Sequence, residues 1–179
     1  MKLITSVLSL AAVLLTTGCS ATEPATPAQD ADTYSLLIQG YNYTDQYIDS
    51  FTVNGVGGGN VFVSSPTTGG GKSTCCYQLH SHSPAPVIVR WAASYCSYTT
   101  TNKYGETHTW RKSLWREEKV LLTRGDSGVP KALEVHFYPD GHVEVAATAG
   151  YSPPRLKLPI TADEQRPGAS HSYPRCSDD

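Results

Sequence analysis

The stretch 54–76, NGVGGGNVFVSSPTTGGGKSTCC, constrains this chain more than any other. Two glycine clusters, at 57–59 and 69–71, bracket a short apolar run, and two adjacent cysteines follow. Glycine reaches backbone angles closed to other residues, so both clusters suit sharp reversals or close approach of two backbones. Between them Val61 and Val63 point to one side of an expected strand and Phe62 to the other, because strand side chains alternate with period two. Gly71, Lys72 and Ser73 resemble the end of a phosphate-binding loop, but Pro66 stands where that motif needs its first glycine. Residues 75–79 then read as strand, whereas a phosphate loop must open a helix. A nucleotide site is not expected.

Residues 1–18 read as a targeting segment. Lys2 supplies the positive end and residues 3–15 the apolar run, which is shorter than the roughly 20 residues that span a bilayer. Leu14, Leu15, Thr16, Thr17, Gly18 and Cys19 resemble a bacterial lipoprotein cleavage box, which makes Cys19 the acylated end of the mature chain. Each buried methylene adds about 0.8 kcal/mol, so several acyl chains anchor a protein stably where one does not. Ser20, not Asp, follows the cysteine, and this resembles sorting to the outer membrane with the protein facing the periplasm. Residues 19–32 carry Pro24 and Pro27 and no large apolar side chain, as a solvated tether does.

The remaining length fits one domain, expected over 33–150, with a proline-rich tail over 151–179. With Lys2 gone, 13 basic residues face 16 acidic ones. That balance contains no basic patch, which removes nucleic acid from the expected partners.

Cysteine usage is the second strong signal. With Cys19 acylated, Cys75, Cys76, Cys96 and Cys176 remain, and an even number in an exported chain points to two disulfides. Joining the neighbours Cys75 and Cys76 would close a small strained ring. The two connectivities that join each of them to Cys96 or Cys176 stay open. No pair has zinc-type spacing, and no metal or other cofactor is expected.

The body reads as all-β. Residues 34–43 form a long apolar run, and Ile48, Phe51 and Val53 follow a turn at Thr44, Asp45 and Gln46. Val87, Ile88, Val89 and Trp91 make a compact strand after the 83–86 breaker, and Val120–Thr123 reads as strand although Trp110, Leu114 and Leu121 also fit helical spacing. Pro139, Asp140 and Gly141 suit a hairpin turn; placing Tyr138 opposite His142 puts Phe137 with Val143, Val135 with Val145 and Leu133 with Ala147 on one apolar face. His136 and Glu144 then pair on the outer face. Seven or eight such strands argue for an immunoglobulin-like β-sandwich stapled by disulfides.

Four motifs together carry a resemblance: NYTDQYIDSFTVNGVGGGN at 42–60, the pair Cys75 and Cys76, VRW at 89–91 and VHFYPDGHVEV at 135–145. They resemble a family of short proteobacterial lipoproteins. Members of that family are often encoded beside phospholipase effectors of the type VI secretion system, and some are similar to the immunity lipoproteins that neutralise those lipases in the periplasm. The resemblance implies a non-enzymatic protein whose partner is a cognate phospholipase effector, with the membrane engaged through the lipid on Cys19 and no small-molecule substrate. A structural or accessory outer-membrane lipoprotein that binds another envelope protein is the alternative. The stretch 92–109 lies outside the family's pattern.

Catalytic signals are weak. His80 and His82 share a face of an expected strand and could hold a metal with a third ligand, yet no such ligand has motif spacing nearby, and two exposed histidines are the expectation. Ser127, in Gly125-Asp126-Ser127-Gly128, misses the nucleophile-elbow pattern. Residues 94–109, SYCSYTTTNKYGETHT, read equally as a partner-binding stretch, with Tyr95, Tyr98 and Tyr104 as rigid amphipathic anchors set among small hydrogen-bonding residues such as Asn102, or as a hydrophilic loop with cross-strand tyrosines. Cys96 would pin this expected loop to the glycine-bounded strand or to the tail, lowering the entropy lost on binding.

Overall fold

The computed structural model describes residues 33–80, 86–125, 128–160 and 173–177. The leader, Cys19 and the tether, with His82 and Ser127, lie outside the described residues. Eight strands follow in chain order: β1 (Thr33–Asn42), β2 (Ile48–Val53), β3 (Val56–Val61), β4 (Thr74–His80), β5 (Pro86–Thr101), β6 (Thr107–Arg124), β7 (Ala132–Phe137) and β8 (Val143–Thr148). No helix occurs among the described residues. The fold is all-β and disulfide-stapled.

The strands form one sheet in the order β3-β2-β5-β6-β8-β7-β1-β4. Strand β6 joins its two halves, pairing antiparallel with β5 over most of its length and parallel with β8 at Leu122, Thr123 and Arg124. The inner faces of the halves pack together as the layers of a sandwich do. Phe137 from one half meets Phe51 edge-on at 5.3 Å and Trp91 at 5.7 Å from the other, inside a core that includes Leu36, Ile38, Val53, Val89 and Val135. The outermost strands nearly meet as well. Val61 bridges Gly71, Tyr41 bridges Gly70, and the Thr74 hydroxyl donates to the Gly57 carbonyl at 3.0 Å, so the sheet curls into a near-barrel.

The β7–β8 hairpin has the register that its turn dictates. Phe137 pairs with Val143, Val135 with Val145, and Leu133 with Ala147, while the Tyr138 amide donates to the His142 carbonyl at 3.1 Å. His136 does face Glu144, but the expectation that it lies outside is corrected: its side chain is fully buried. The chain beyond β8 crosses this face, and the Ser152 and Arg155 amides bond to the side chains beneath.

The glycine-bounded stretch is also built differently from its expectation. The reversal falls at Asn54 and Gly55, with φ of 49° and 81°, a turn of the type that matches the twist of two-residue hairpins. Glycines 57–59 belong to β3, and Val63 lies beyond it. A Cβ at Gly58 would fall inside the Phe51 ring, and one at Gly40 would strike Val61. These two glycines therefore serve close packing.

The disulfides correct the expected connectivity. Cys96 joins Cys176, with Cα atoms 4.9 Å apart, and Cys75 joins Cys76 across a cis peptide bond. Long-range chain path decides this. The tail lies in parallel beside Ser97, where the Ser97 amide donates to the Pro174 carbonyl and the Cys176 amide to the Ser97 carbonyl, each at 2.8 Å. That placement gives Cys176 to Cys96, whereas Cys75 and Cys76 sit on β4 at the far end of the sheet order.

Candidate interaction surface on the β5–β6 arm

The stretch expected as a polar loop is a two-stranded arm. Strands β5 and β6 stay paired from Pro86 opposite Leu121 to Thr101 opposite Thr107, with a bulge between Ala92 and Ser94. Its tip is an Asn102-centred turn: the Asn102 side-chain oxygen accepts from the Tyr104 and Glu106 amides, and its side-chain nitrogen donates to Glu106 at 2.7 Å. The threonines and aromatic residues through 98–101 and 107–110 favour strand, which short-range polarity hid.

The four candidate residues separate. Tyr95 is 2 % exposed and faces the body of the sheet, which removes it from the contact surface. Its hydroxyl donates to the Tyr47 carbonyl at 2.6 Å and accepts from the Asp49 amide at 2.8 Å. Burial pushes its pKa up to about 12. Arg111 lies over this ring at 4.4 Å, reaches Tyr47 and Tyr173 at 5.9 and 5.7 Å, and bonds to Asp49 at 2.5 Å. Tyr95, Arg111 and the Cys96–Cys176 bridge thus latch the base of the arm to β2 and to the tail.

Tyr98, Asn102 and Tyr104 stay on the outside. Tyr98 is 41 % exposed and pairs directly across the arm with Trp110, which is 52 % exposed. Directly paired residues share a face of an antiparallel ribbon, and side chains alternate along each strand. Trp110, Lys112, Leu114 and Arg116 therefore lie on one face with Tyr98, and Trp115 lies on the other, where Arg90 stacks on it at 4.7 Å. The indole N–H of Trp110 donates to the Thr100 hydroxyl at 2.8 Å, so the ring can be covered without stranding a donor. Tyr104, 76 % exposed, crowns the tip. Trp110 and Leu114 are the residues that sequence reasoning passed over as binding residues. The signal was the register, since a hairpin tip at Asn102 places Trp110 opposite Tyr98.

A second polar cluster lies under the strap at 151–155. Glu134 and His136 stand 3.4 Å apart and are both fully buried. Glu134 accepts from the Ser152 amide at 2.6 Å, and the Tyr41 hydroxyl lies 3.2 Å from Glu134 and 2.6 Å from the Ser152 carbonyl. His136 stacks on Tyr41 at 4.4 Å, and its Nδ1 is 3.1 Å from the Tyr43 hydroxyl, which accepts from the Arg155 amide. Burial raises the Tyr41 pKa and lowers that of His136. Burial works against the Glu134 carboxylate too, but the His136 ring and the Ser152 amide outweigh it and hold its pKa below the usual value. This cluster fastens the strap; it is closed to solvent. His80 is exposed and bonded to the Thr33 hydroxyl at 3.1 Å. Among the described residues no three His, Cys, Asp or Glu side chains are grouped to hold a metal ion.

The family described as protein of unknown function (DUF3304) matches the chain over residues 41–145. The chain belongs to it. No curated protein and no solved structure matches. The DUF3304 span takes in Cys75, Cys76, Cys96 and the whole arm, and leaves the strap and Cys176 outside.

Proposed function

We propose that this chain is a periplasm-facing immunity lipoprotein, anchored to the outer membrane through Cys19, that binds a type VI secretion phospholipase effector and neutralises it by stoichiometric occlusion. The observation that supports this most is the arm: a pair of exposed aromatics, Tyr98 and Trp110, on a ribbon held at its base by a disulfide and by Arg111. Interfaces concentrate their energy in a few buried aromatic anchors, and anchors that are rigid beforehand lose less entropy on docking. The leader and its cysteine box support the location. The four sequence motifs support the partner class.

The test is inhibition of a purified type VI secretion phospholipase effector, taken from beside this chain's own gene, by the purified protein, with full inhibition expected near one-to-one mixing; the absence of such a gene counts against the reading. Inhibition that requires large molar excess, or none at all, overturns this reading in favour of an accessory envelope lipoprotein.

A further inference from the structure

The arm has two main-chain edges, and they are used differently. The Asn102 amide donates to the Glu106 carbonyl at 2.9 Å, which closes the hairpin on a hydrogen-bonded pair. In an antiparallel ribbon such pairs alternate with pairs whose amides and carbonyls turn outward. The register then makes Thr100 with His108, Tyr98 with Trp110 and Cys96 with Lys112 inward-bonded pairs. It turns Ser97 outward on β5, and Thr107, Thr109, Arg111 and Ser113 outward on β6. Ser97 follows this assignment, since its amide and carbonyl both bond to the tail.

The β5 edge of the arm is therefore filled by an extended segment of the same chain. On β6, strand pairing on the outer side begins only at Leu122, so among the described residues the outward groups of 107–113 meet no strand. Beside them Trp110 and Leu114 are exposed on one face and Trp115 on the other. From Thr107 to Arg116 the strand carries Arg111, Lys112 and Arg116 and no carboxylate. Two copies of this edge side by side would bring like charges together.

We infer that the open edge of β6 over residues 107–113 receives an extended, acidic segment of a protein partner as an added strand. Main-chain bonds to Thr107, Thr109, Arg111 and Ser113 set its position, Lys112 and Arg116 select carboxylates, and Trp110 with Leu114 covers its apolar side chains. If that partner is the lipase, the added strand is how the lipase is held, and to that extent the inference rests on the proposed function.

The test reads amide hydrogen exchange by NMR on the complete chain, with a synthetic peptide of repeated Val-Ser-Glu-Ser, which sets valine and glutamate in turn on one face, as the probe and one of repeated Val-Ser-Lys-Ser beside it. The Thr109, Arg111 and Ser113 amides should exchange fast in the free protein and at least tenfold more slowly with the acidic probe, and the basic probe should leave them unchanged. The Trp110 and Lys112 amides should be slow throughout. Thr109→Pro removes one outward donor while sparing the β5–β6 bonds and should abolish probe binding. Where Thr109→Pro fails to fold, Lys112→Glu with Arg116→Glu decides, with at least tenfold weaker binding expected. No slowing by the acidic probe, equal slowing by both, or protection in the free protein that grows with its concentration, the mark of a second copy, overturns the inference. Full lipase inhibition with these amides unaffected would sink the added strand and leave the proposed function standing; protection by the probe without lipase inhibition would do the reverse.

Discussion

Glu134 Oε2 and His136 Nε2 lie 3.4 Å apart on the outer face of β7, both side chains sealed from solvent by the strap at 151–155. Burial there disfavours the charged imidazole, whose Nδ1 lies 3.1 Å from the Tyr43 hydroxyl.

A pH dependence of stability follows. The pKa values of His136 and Glu134 are both lowered in the fold, so in acid the unfolded chain binds more protons than the folded one. The stabilising contribution is complete above the ordinary imidazole value of about 6.5, and it falls away as pH drops, first through His136 and then through Glu134. The melting temperature should decline from pH 7 to pH 4, and His136→Gln should flatten the upper part of that decline. A melting temperature level across this range would contradict the account.

Tyr98 and Trp110 should matter for binding and not for folding. Tyr98→Ala with Trp110→Ala is expected to leave the melting temperature nearly unchanged and to weaken binding of the effector proposed as partner by about 2 kcal/mol or more, roughly thirtyfold. Tyr95→Phe should do the opposite, lowering stability by about 1–2 kcal/mol through two lost hydrogen bonds. Calorimetry and thermal unfolding on both variants separate the two roles.

The bridge between Cys96 and Cys176 spans 80 residues of sequence, and its removal should lower stability by about 2–5 kcal/mol. In the Cys96→Ser, Cys176→Ser variant the segment around Tyr173 should become sensitive to protease while the β7–β8 hairpin stays protected. Thiol titration of the oxidised wild-type protein should find none of Cys75, Cys76, Cys96 and Cys176 free. Two or more reactive thiols in the folded chain would refute the pairing.

Gly58→Ala would force a methyl group into the Phe51 ring and should cost about 1–3 kcal/mol. Combining it with Phe51→Leu should recover part of that loss, because the smaller side chain vacates the contested space. A fully stable single variant, followed by urea denaturation, would show that Phe51 is not held against β3.

Cys19→Ser should release the chain from the membrane fraction while leaving the domain folded. Under the proposed immunity function, protection of cells should fall only in part, since the loss is one of local concentration. The unlipidated variant remaining firmly in the membrane fraction would defeat the anchor reading.

Sequence alone determined what depends on neighbours in the chain. The β7–β8 register was legible because Pro139, Asp140 and Gly141 specify the turn and period-two alternation specifies which side chains share a face. The all-β class followed from the same local signals. Tertiary structure alone decided which distant surfaces meet: that Cys176 reaches Cys96 and leaves Cys75 to Cys76, that Tyr95 turns inward onto Asp49 while Tyr98 stays out, and that a proline-containing strap buries Glu134 and His136 on a face whose pattern reads as solvated. Alternation fixes the two sides of a strand, but whether either side is covered depends on segments closing loops of tens of residues, and the entropy of closure is nearly the same for many alternative pairings. Their contacts select among them, and those contacts are formed only once the sheet has curled.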